Sequence, residues 1–259
     1  MKKAIVIFSL FVLLCTLISL ASCQIQEMQP TESECLVYEL LDDGTYGVSG
    51  TESEPISVVI PDVHMEKSVT QILPNAFQEA TNLTSVTIPN SVTVIGDRAF
   101  RGCSKLTELA LPSSVEHIGM NAFEGCEELY TVRFSTGMTT IGTDAFGDCP
   151  KLRNVHVPDL VSWCKIDFAN RYANPTIWYG YLYINDELLD KFVLPEGLTA
   201  IGKNAFVAIG LDGVYVSDLA AWCAIDFGNE DSNPLQSRHG DLYLNGEKVT
   251  DLVIPDSVT

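Results

Sequence analysis

Apolar residues recur along the middle of the chain with a fixed period. Ala-Phe pairs lie 23 residues apart and end at Phe77, Phe100, Phe123 and Phe146. Leucine, β-branched and Ile-Gly positions keep the same step, and the unit reads L-x-x-V-x-I-P-x-S-V-x-x-I-G-x-x-A-F-x-G-C, most plainly over residues 106–126. A period of about 20 to 50 residues is typical of solenoids and other repeat architectures.

Each unit is predicted to contain two short extended pieces and a turn. Residues 83–88 (LTSVTI) end in apolar-polar alternation and are rich in β-branched residues, so they predict a strand that Pro89 ends. The Ile-Gly pair predicts a second extended piece and a glycine at positive φ. Asp97 or Asn121 before Ala-Phe predicts a capped helical turn that drives the phenylalanine inward. Because a unit this short cannot bury its apolar face alone, the units should stack into a solenoid.

This unit resembles the BspA-type leucine-rich repeat, which is found in bacterial surface proteins. Four consecutive copies are in phase, and the resemblance extends over residues 36–259. It implies an α/β solenoid that is dominated by strands, a leucine-rich repeat superhelix of about 23-residue coils. Residues 36–77 resemble the variant opening repeat of such proteins, residues 78–157 are short repeats, and residues 158–259 are two longer repeats with inserts.

The longer unit occurs twice. The segment WCKIDF at residues 163–168 returns as WCAIDF at residues 222–227, 59 residues later. Each long unit is predicted to be a coil with an insert, made of a short helix over residues 162–168, a loop, and a hairpin that turns at residues 185–186 or 245–246. The solenoid is therefore expected to continue through both copies.

The start of the chain predicts export. Lys2 and Lys3 precede an uncharged apolar stretch that ends in Leu-Ala-Ser before Cys23, so residues 1–22 are predicted to be a signal peptide. A membrane-spanning helix is the alternative, since about 19 uncharged residues could nearly cross the hydrocarbon core. The Leu-Ala-Ser-Cys motif resembles the bacterial lipobox, which implies a lipid on Cys23 that anchors the protein in the membrane. Residues 23–35 are then a flexible tether, and the protein is expected at the cell envelope or surface.

The composition excludes two classes of protein. The 46% of hydrophobic residues is enough for a core and argues against intrinsic disorder. The formal charge of −19 excludes a nucleic-acid partner, because phosphate backbones require a basic face. Without the predicted signal peptide, 13 basic residues stand against 34 acidic ones, a charge of −21.

The cysteines are expected to be core residues. An exported protein with eight cysteines raises the question of disulfides. However, Cys103, Cys126 and Cys149 share one repeat column in which neighbouring coils carry Ala80 and Ile209. A column that accepts all three residue types is a small buried packing position, and it lacks the spacing of a metal site.

No group of residues suggests catalysis. His117 and His156 occupy variable positions that should face outward, and Asp167 repeats in register as Asp226, which favours a turn or cap. The sequence also lacks the common hydrolase, zinc-protease, phosphate-loop and calcium-loop motifs. No catalytic residue, metal ligand or cofactor is therefore expected.

Variable strand positions form the first candidate binding site. Tyr130 and Arg133 on one strand should lie beside Arg153 and His156 on the next, with Tyr215 on the coil after that. Such an aromatic and basic cluster on an acidic body could dock an acidic protein segment or a glycan. The alternative is an ordinary solvated polar face.

The tip of the first insert is the second candidate. Trp178 and Tyr179 are not repeated in the second insert, so the repeat does not dictate them. Exposed aromatic rings can stack on sugars or anchor a protein contact. The alternative is a local hydrophobic mini-core that these two residues form with Tyr181 and Tyr183.

The resemblance implies a non-catalytic adhesion module for a protein or glycan ligand on host or neighbouring cells. The alternatives are a targeting arm of a surface enzyme whose catalytic domain lies outside this chain, and a structural spacer. Residues 251–259 repeat residues 191–199 but stop before the Ile-Gly and Ala-Phe half of the coil. The chain is therefore expected to be a fragment, a frameshifted product, or a solenoid whose open end meets a partner.

Overall fold

The computed structural model describes residues 35–178, 180–236 and 240–251. The predicted signal peptide, the lipidation site Cys23, most of the predicted tether, Tyr179 and residues 252–259 lie outside these ranges. The described residues form short strands that are joined by turns, together with a few short helical segments.

The strands are, in chain order, β1 (Leu36–Leu40), β2 (Tyr46–Thr51), β3 (Ser57–Val59), β4 (Val63–His64), β5 (Lys67–Ile72), β6 (Ser85–Thr87), β7 (Val94–Ile95), β8 (Glu108–Ala110), β9 (His117–Ile118), β10 (Thr131–Arg133), β11 (Thr140–Ile141), β12 (Asn154–Val157), β13 (Asp167–Phe168), β14 (Tyr181–Ile184), β15 (Glu187–Leu188), β16 (Phe192–Val193), β17 (Ala200–Ile201), β18 (Val214–Val216), β19 (Asp226–Phe227), β20 (Leu242–Leu244) and β21 (Glu247–Lys248). The α-helices are Leu160–Cys164 and Leu219–Cys223, and the 3-10 helices are Arg171–Ala173, Pro175–Trp178, Glu230–Ser232 and Pro234–Gln236.

Parallel ladders run along the solenoid because each coil contributes one strand to each side. The Ile-Gly strands form a ladder in the order β5-β7-β9-β11-β13, which β2 and the antiparallel β1 extend at the N-terminal end. The leucine strands form a second ladder, β8-β10-β12-β14, and β16-β18-β20 continue it in a separate sheet. Neighbouring strands pair in register, with His117 opposite Val94 on one side and Thr140 on the other. This confirms the predicted strand-dominated repeat solenoid.

The repeated apolar positions fill one continuous core. The leucine that begins each coil is fully buried, as in Leu83, Leu106, Leu129 and Leu152. Successive phenylalanine rings stack with their centroids 5.1, 5.2 and 5.4 Å apart, in the order Phe77, Phe100, Phe123 and Phe146. Each ring is thus covered by the coils on either side, which is how units that are too small to fold alone obtain a core.

The turn before each Ala-Phe pair is not the capped helical turn that the sequence predicted. Arg98, two residues after Gly96, has a φ of 54°, so the backbone does not continue as a helix. Gly96 itself is not at positive φ; it is required because a Cβ there would lie 2.6 Å from the backbone nitrogen of Pro74 in the preceding coil. Asp97 does not cap its own turn either, since its Oδ1 accepts a hydrogen bond from the backbone N–H of Met120 in the next coil at 2.8 Å.

The first insert helix is shifted relative to the prediction. It spans Leu160–Cys164 because Asp159 caps it, with Oδ1 accepting a hydrogen bond from the backbone N–H of Ser162 at 2.7 Å. The last part of the predicted helix is instead strand β13, which pairs in parallel with β11. The prediction of a single helix over residues 162–168 was therefore wrong, because a two-residue strand that extends the ladder replaces its second half.

The two predicted hairpins are confirmed. Strand β14 pairs antiparallel with β15, and β20 pairs antiparallel with β21. Asn185 and Asp186 have φ values of 51° and 63°, while Asn245 and Gly246 have values of 51° and 86°. Two consecutive residues at positive φ are typical of the type I′ turn, whose twist matches that of the flanking strands.

Candidate binding face

The outward side of the second ladder carries two of the predicted binding residues, Arg133 and His156. Strands β10, β12 and β14 alternate, and their middle residues Val132, Val155 and Leu182 are buried. The next residue on each strand faces the opposite side of the sheet. Parallel register places Arg133 opposite His156 and His156 opposite Tyr183. The predicted neighbourhood of Arg133 and His156 is therefore present.

An aspartate from the first hairpin neutralises part of this cluster. Asp186 Oδ1 lies 3.1 Å from Arg133 Nη1 and 2.7 Å from His156 Nδ1, and we call these three residues the clasp. The imidazole of His156 also stacks on the ring of Tyr183, with centroids 4.7 Å apart and an interplanar angle of 11°. The hydrogen bond from Arg133, followed by that from His156, holds the pKa of Asp186 below its ordinary value. The cluster is thus not an uncompensated patch of positive charge.

The other two predicted members of the cluster, Tyr130 and Arg153, differ in how available their side chains are. The Tyr130 side chain is one of the exposed aromatic groups, with 51% of its surface accessible. The Nη1 group of Arg153 donates hydrogen bonds to the backbone carbonyls of Pro150, Leu152 and Trp178 at 3.0, 2.9 and 2.9 Å. Arg153 therefore holds the first insert against the preceding coil.

Trp178 is built into the fold. Its Nε1 donates a hydrogen bond to the backbone carbonyl of Phe146 at 3.0 Å, and its half-buried ring lies against the core and 5.9 Å from the ring of Tyr172. The predicted mini-core has a different composition, because Tyr181 is 54% exposed and Tyr183 stacks on His156. Tyr179 lies outside the described residues.

Sequence reasoning missed Tyr183 and Asp186 as members of this face. The segment GYLYI at residues 180–184 alternates like the other leucine strands, and this was the available signal. Tyr215 was expected beside His156, but its strand β18 pairs with β16 and β20 in another sheet. There the Tyr215 ring stacks on Tyr243 at 4.6 Å. The hairpin strand β15 interrupts the row, since it occupies the free edge of β14.

The described cysteines carry free thiols, and those of the repeat column are buried as predicted. Their Sγ atoms donate to carbonyls of the preceding coil, as from Cys103 to Phe77 at 3.2 Å. Burial raises the pKa of Cys103 and Cys149 to about 12 and that of Cys126 well above its ordinary value. Asp167 has a structural role like that of Asp97, because its Oδ1 accepts a hydrogen bond from the backbone N–H of Lys203 in a following coil at 2.8 Å.

Over residues 35–178, 180–236 and 240–251, no three His, Cys, Asp or Glu side chains come together in a way that could hold a metal ion. In the same part of the chain, no helix is both long enough and apolar enough to cross a bilayer.

Comparison with known proteins agrees with this architecture. Residues 57–173 match a family model described as a BspA type leucine rich repeat region, in six copies. The chain is similar to the crystal structure of a T. pallidum leucine-rich repeat protein, with 25% identity and a TM-score of 0.53 over 71% of this chain and 84% of that one. A leucine-rich repeat protein from Bacteroides capillosus ATCC 29799 is 28% identical, with a TM-score of 0.44 over 48% of this chain and 94% of that one. No curated protein matches the chain.

The repeats, the parallel ladders and the shared core together define a leucine-rich repeat solenoid. Residues 57–173 match the BspA-type leucine-rich repeat model, so this part of the chain consists of repeats of that type. Proteins with repeats of this type are found on bacterial surfaces, where the repeats serve as interaction modules.

Proposed function

We propose that this chain is a lipid-anchored protein of the bacterial cell surface whose solenoid is a non-catalytic, adhesion-type module for a protein or glycan ligand. Residues 1–22 would be removed on export, Cys23 would carry the lipid, and residues 23–35 would tether the binding domain, residues 36–259. The lipobox resemblance supports the anchor, and the match of residues 57–173 to BspA-type repeats, which are typical of bacterial surface proteins, supports the location.

The observation that carries the binding proposal is the outward row of the second ladder. The inward residue of each strand is an aliphatic core residue, whereas the outward one changes from Ala110 to Arg133, His156 and Tyr183. The core fixes the coil spacing, so these variable side chains are held in an ordered row. The clasp balances their charge, which favours a ligand that is recognised by hydrogen bonds and ring contacts.

Charge reversal on the row tests the binding face. The full-length chain would be applied to an array of purified matrix proteins and glycans, and the strongest ligand would be titrated against variants. Arg133→Glu should weaken binding at least about tenfold, because it leaves the clasp with two carboxylates and one imidazole. Lys165→Glu is the matched control, since it makes the same charge reversal at an exposed residue outside the outward row. Equal affinities for the two variants would contradict the assignment of this face.

The anchor requires a separate experiment. Cells that express the chain would be labelled with a radioactive fatty acid, and Cys23→Ser would be compared with the unaltered protein. We expect label and membrane association in the unaltered chain and neither in the variant, because the thioether needs the Cys23 thiol. Membrane association of Cys23→Ser without label would favour an uncleaved membrane-spanning signal.

A further inference from the structure

A recessed surface lies between the two inserts, apart from the outward row. This inter-insert cleft has a volume of about 470 Å³. One wall is Arg171, Gly180 and Tyr181 of the first insert, the other is Asp231 and Gln236 of the second, and residues 206–210 form the floor. Its volume lies in the range of small-molecule sites, which are about 300 to 1,000 Å³.

Buried polar contacts fix the wall of the first insert. Asn174 is fully buried and its Nδ2 donates to the backbone carbonyl of Asn204 at 2.8 Å. Thr176 is also fully buried, and its Oγ1 donates to the carbonyl of Val207 at 3.1 Å. Satisfied buried networks of this kind rigidify the elements that they join. The wall and the floor are therefore held together before any ligand arrives.

The wall of the second insert is fixed in a similar way. Asn229 Nδ2 donates to Asn204 Oδ1 at 2.9 Å, and the backbone N–H of Phe206 donates to the carbonyl of Asp231 at 3.0 Å. Asn204 therefore connects the floor to both inserts. The cleft is a preformed feature of the two long repeats, which the short repeats do not contain.

The groups that line the cleft match the chemistry of a sugar. Tyr181 offers an aromatic ring that is 54% exposed, on which the apolar face of a pyranose can stack. Arg171 Nε lies 3.3 Å from Asp231 Oδ2 across the cleft, so donors and acceptors for hydroxyl groups are paired there. Gln236 adds an amide that both donates and accepts.

The charge of the cleft selects among glycans. The single cation and the single carboxylate of its lining cancel, and the chain as a whole carries −19. An anionic sugar would therefore meet no net positive charge in the cleft and would be repelled by the body of the protein. From this combination we infer that the inter-insert cleft binds a neutral oligosaccharide. The inference rests on the proposed binding function and deepens it by naming a ligand class and a second site.

Two variants separate the cleft from the outward row. Tyr181→Ala removes the stacking ring. Gly210→Trp fills the cleft, and a Cβ at Gly210 meets no atom within 4 Å, so the fold has room for the change. Tyr130→Ala is the matched control because it removes another half-exposed tyrosine, one that does not line the cleft. Circular dichroism and thermal unfolding would show that each variant is folded.

The assay is calorimetric titration and saturation-transfer NMR of the full-length chain in a sugar-free detergent. The probes are maltotriose, mannotriose and N,N′-diacetylchitobiose. We expect at least one probe to bind with a Kd below about 1 mM, Tyr181→Ala to weaken it at least about tenfold, and Gly210→Trp to abolish it. Tyr130→Ala should leave the Kd unchanged.

Three results would overturn the inference. The first is the absence of saturation transfer to any probe at about 10 mM. The second is that the cleft variants bind a probe as well as the unaltered chain does. The third is that binding is lost in Tyr130→Ala alone. If the probes fail but the array ligand still depends on Arg133, the cleft assignment falls and the proposed function stands. If neither the probes nor the array give binding, both fall.

Discussion

Truncation of Phe123 tests how much of the stability of the solenoid comes from contacts between coils. The Phe123 ring has no exposed surface and stacks on Phe100 at 5.2 Å and on Phe146 at 5.4 Å. Replacing a buried phenylalanine by alanine costs about 3–5 kcal/mol of unfolding free energy. Each stacked ring pair adds roughly 0.5–1.5 kcal/mol beyond the buried area. Phe123→Ala should therefore lie in the upper half of the first range, because it loses two such pairs.

Phe77 is the matched comparison, since it is almost as buried but, among the described residues, stacks on one ring only, that of Phe100 at 5.1 Å. We expect Phe77→Ala to cost roughly 0.5–1.5 kcal/mol less than Phe123→Ala, which is the value of one stacked pair. Urea unfolding followed by circular dichroism measures both free energies. A larger cost for Phe77→Ala, or a cost below about 1 kcal/mol for Phe123→Ala, would refute the idea that the rings act as a stack between coils.

Three further predictions follow from the described contacts. Gly119→Ala should lower the unfolding free energy, measured by heat or urea, by about 1–3 kcal/mol, because its Cβ would lie 2.5 Å from the backbone nitrogen of Asp97. Gly210→Ala is the control: its Cβ would meet no atom within 4 Å, so its unfolding free energy should stay within about 0.5 kcal/mol of that of the unaltered chain. In a carboxyl NMR titration Asp186 should show a lowered pKa, and Arg133→Ala should raise it. A lowered pKa in the folded state gives stability that is present above the pKa of the unfolded chain and is lost as the pH falls through the pKa of the folded chain. The clasp should therefore loosen only in acid. Alkylation read by mass spectrometry should modify the partly exposed Cys35 of the folded chain and should reach the buried thiols only in denaturant, namely those of Cys103, Cys126, Cys149 and Cys164. Early alkylation of this buried group would show that the coils open locally.

Much of the architecture could be predicted from the periodic residues. The Ala-Phe and leucine columns identified the buried positions, and the Asn-Asp and Asn-Gly pairs identified both hairpin turns. These predictions succeeded because a repeated apolar residue must be buried in every coil, and because few residues tolerate positive φ at two consecutive positions. The insert helix was misplaced for a related reason: a two-residue strand has almost no local signal and forms only because a neighbouring strand is available.

The candidate sites were less accessible to prediction. Asp186 is 30 residues from His156 and 53 from Arg133 along the chain, so no local sequence pattern predicts the clasp. The roles of Arg153 and Trp178 also depend on backbone carbonyls that other coils supply. A sequence shows that a side chain is charged or aromatic, but not which distant atom is its hydrogen-bond partner in the fold.

For this protein, the sequence alone determined the repeat, its strands, its core columns and its overall acidity, because each of these depends on residue type and spacing. The tertiary structure alone decided why Gly96 must be glycine, where the second ladder breaks, and which face and which cleft remain open. Those outcomes depend on how closely coils approach and on what packs against them. Close approach between coils is a property of the stacked solenoid that no single repeat carries.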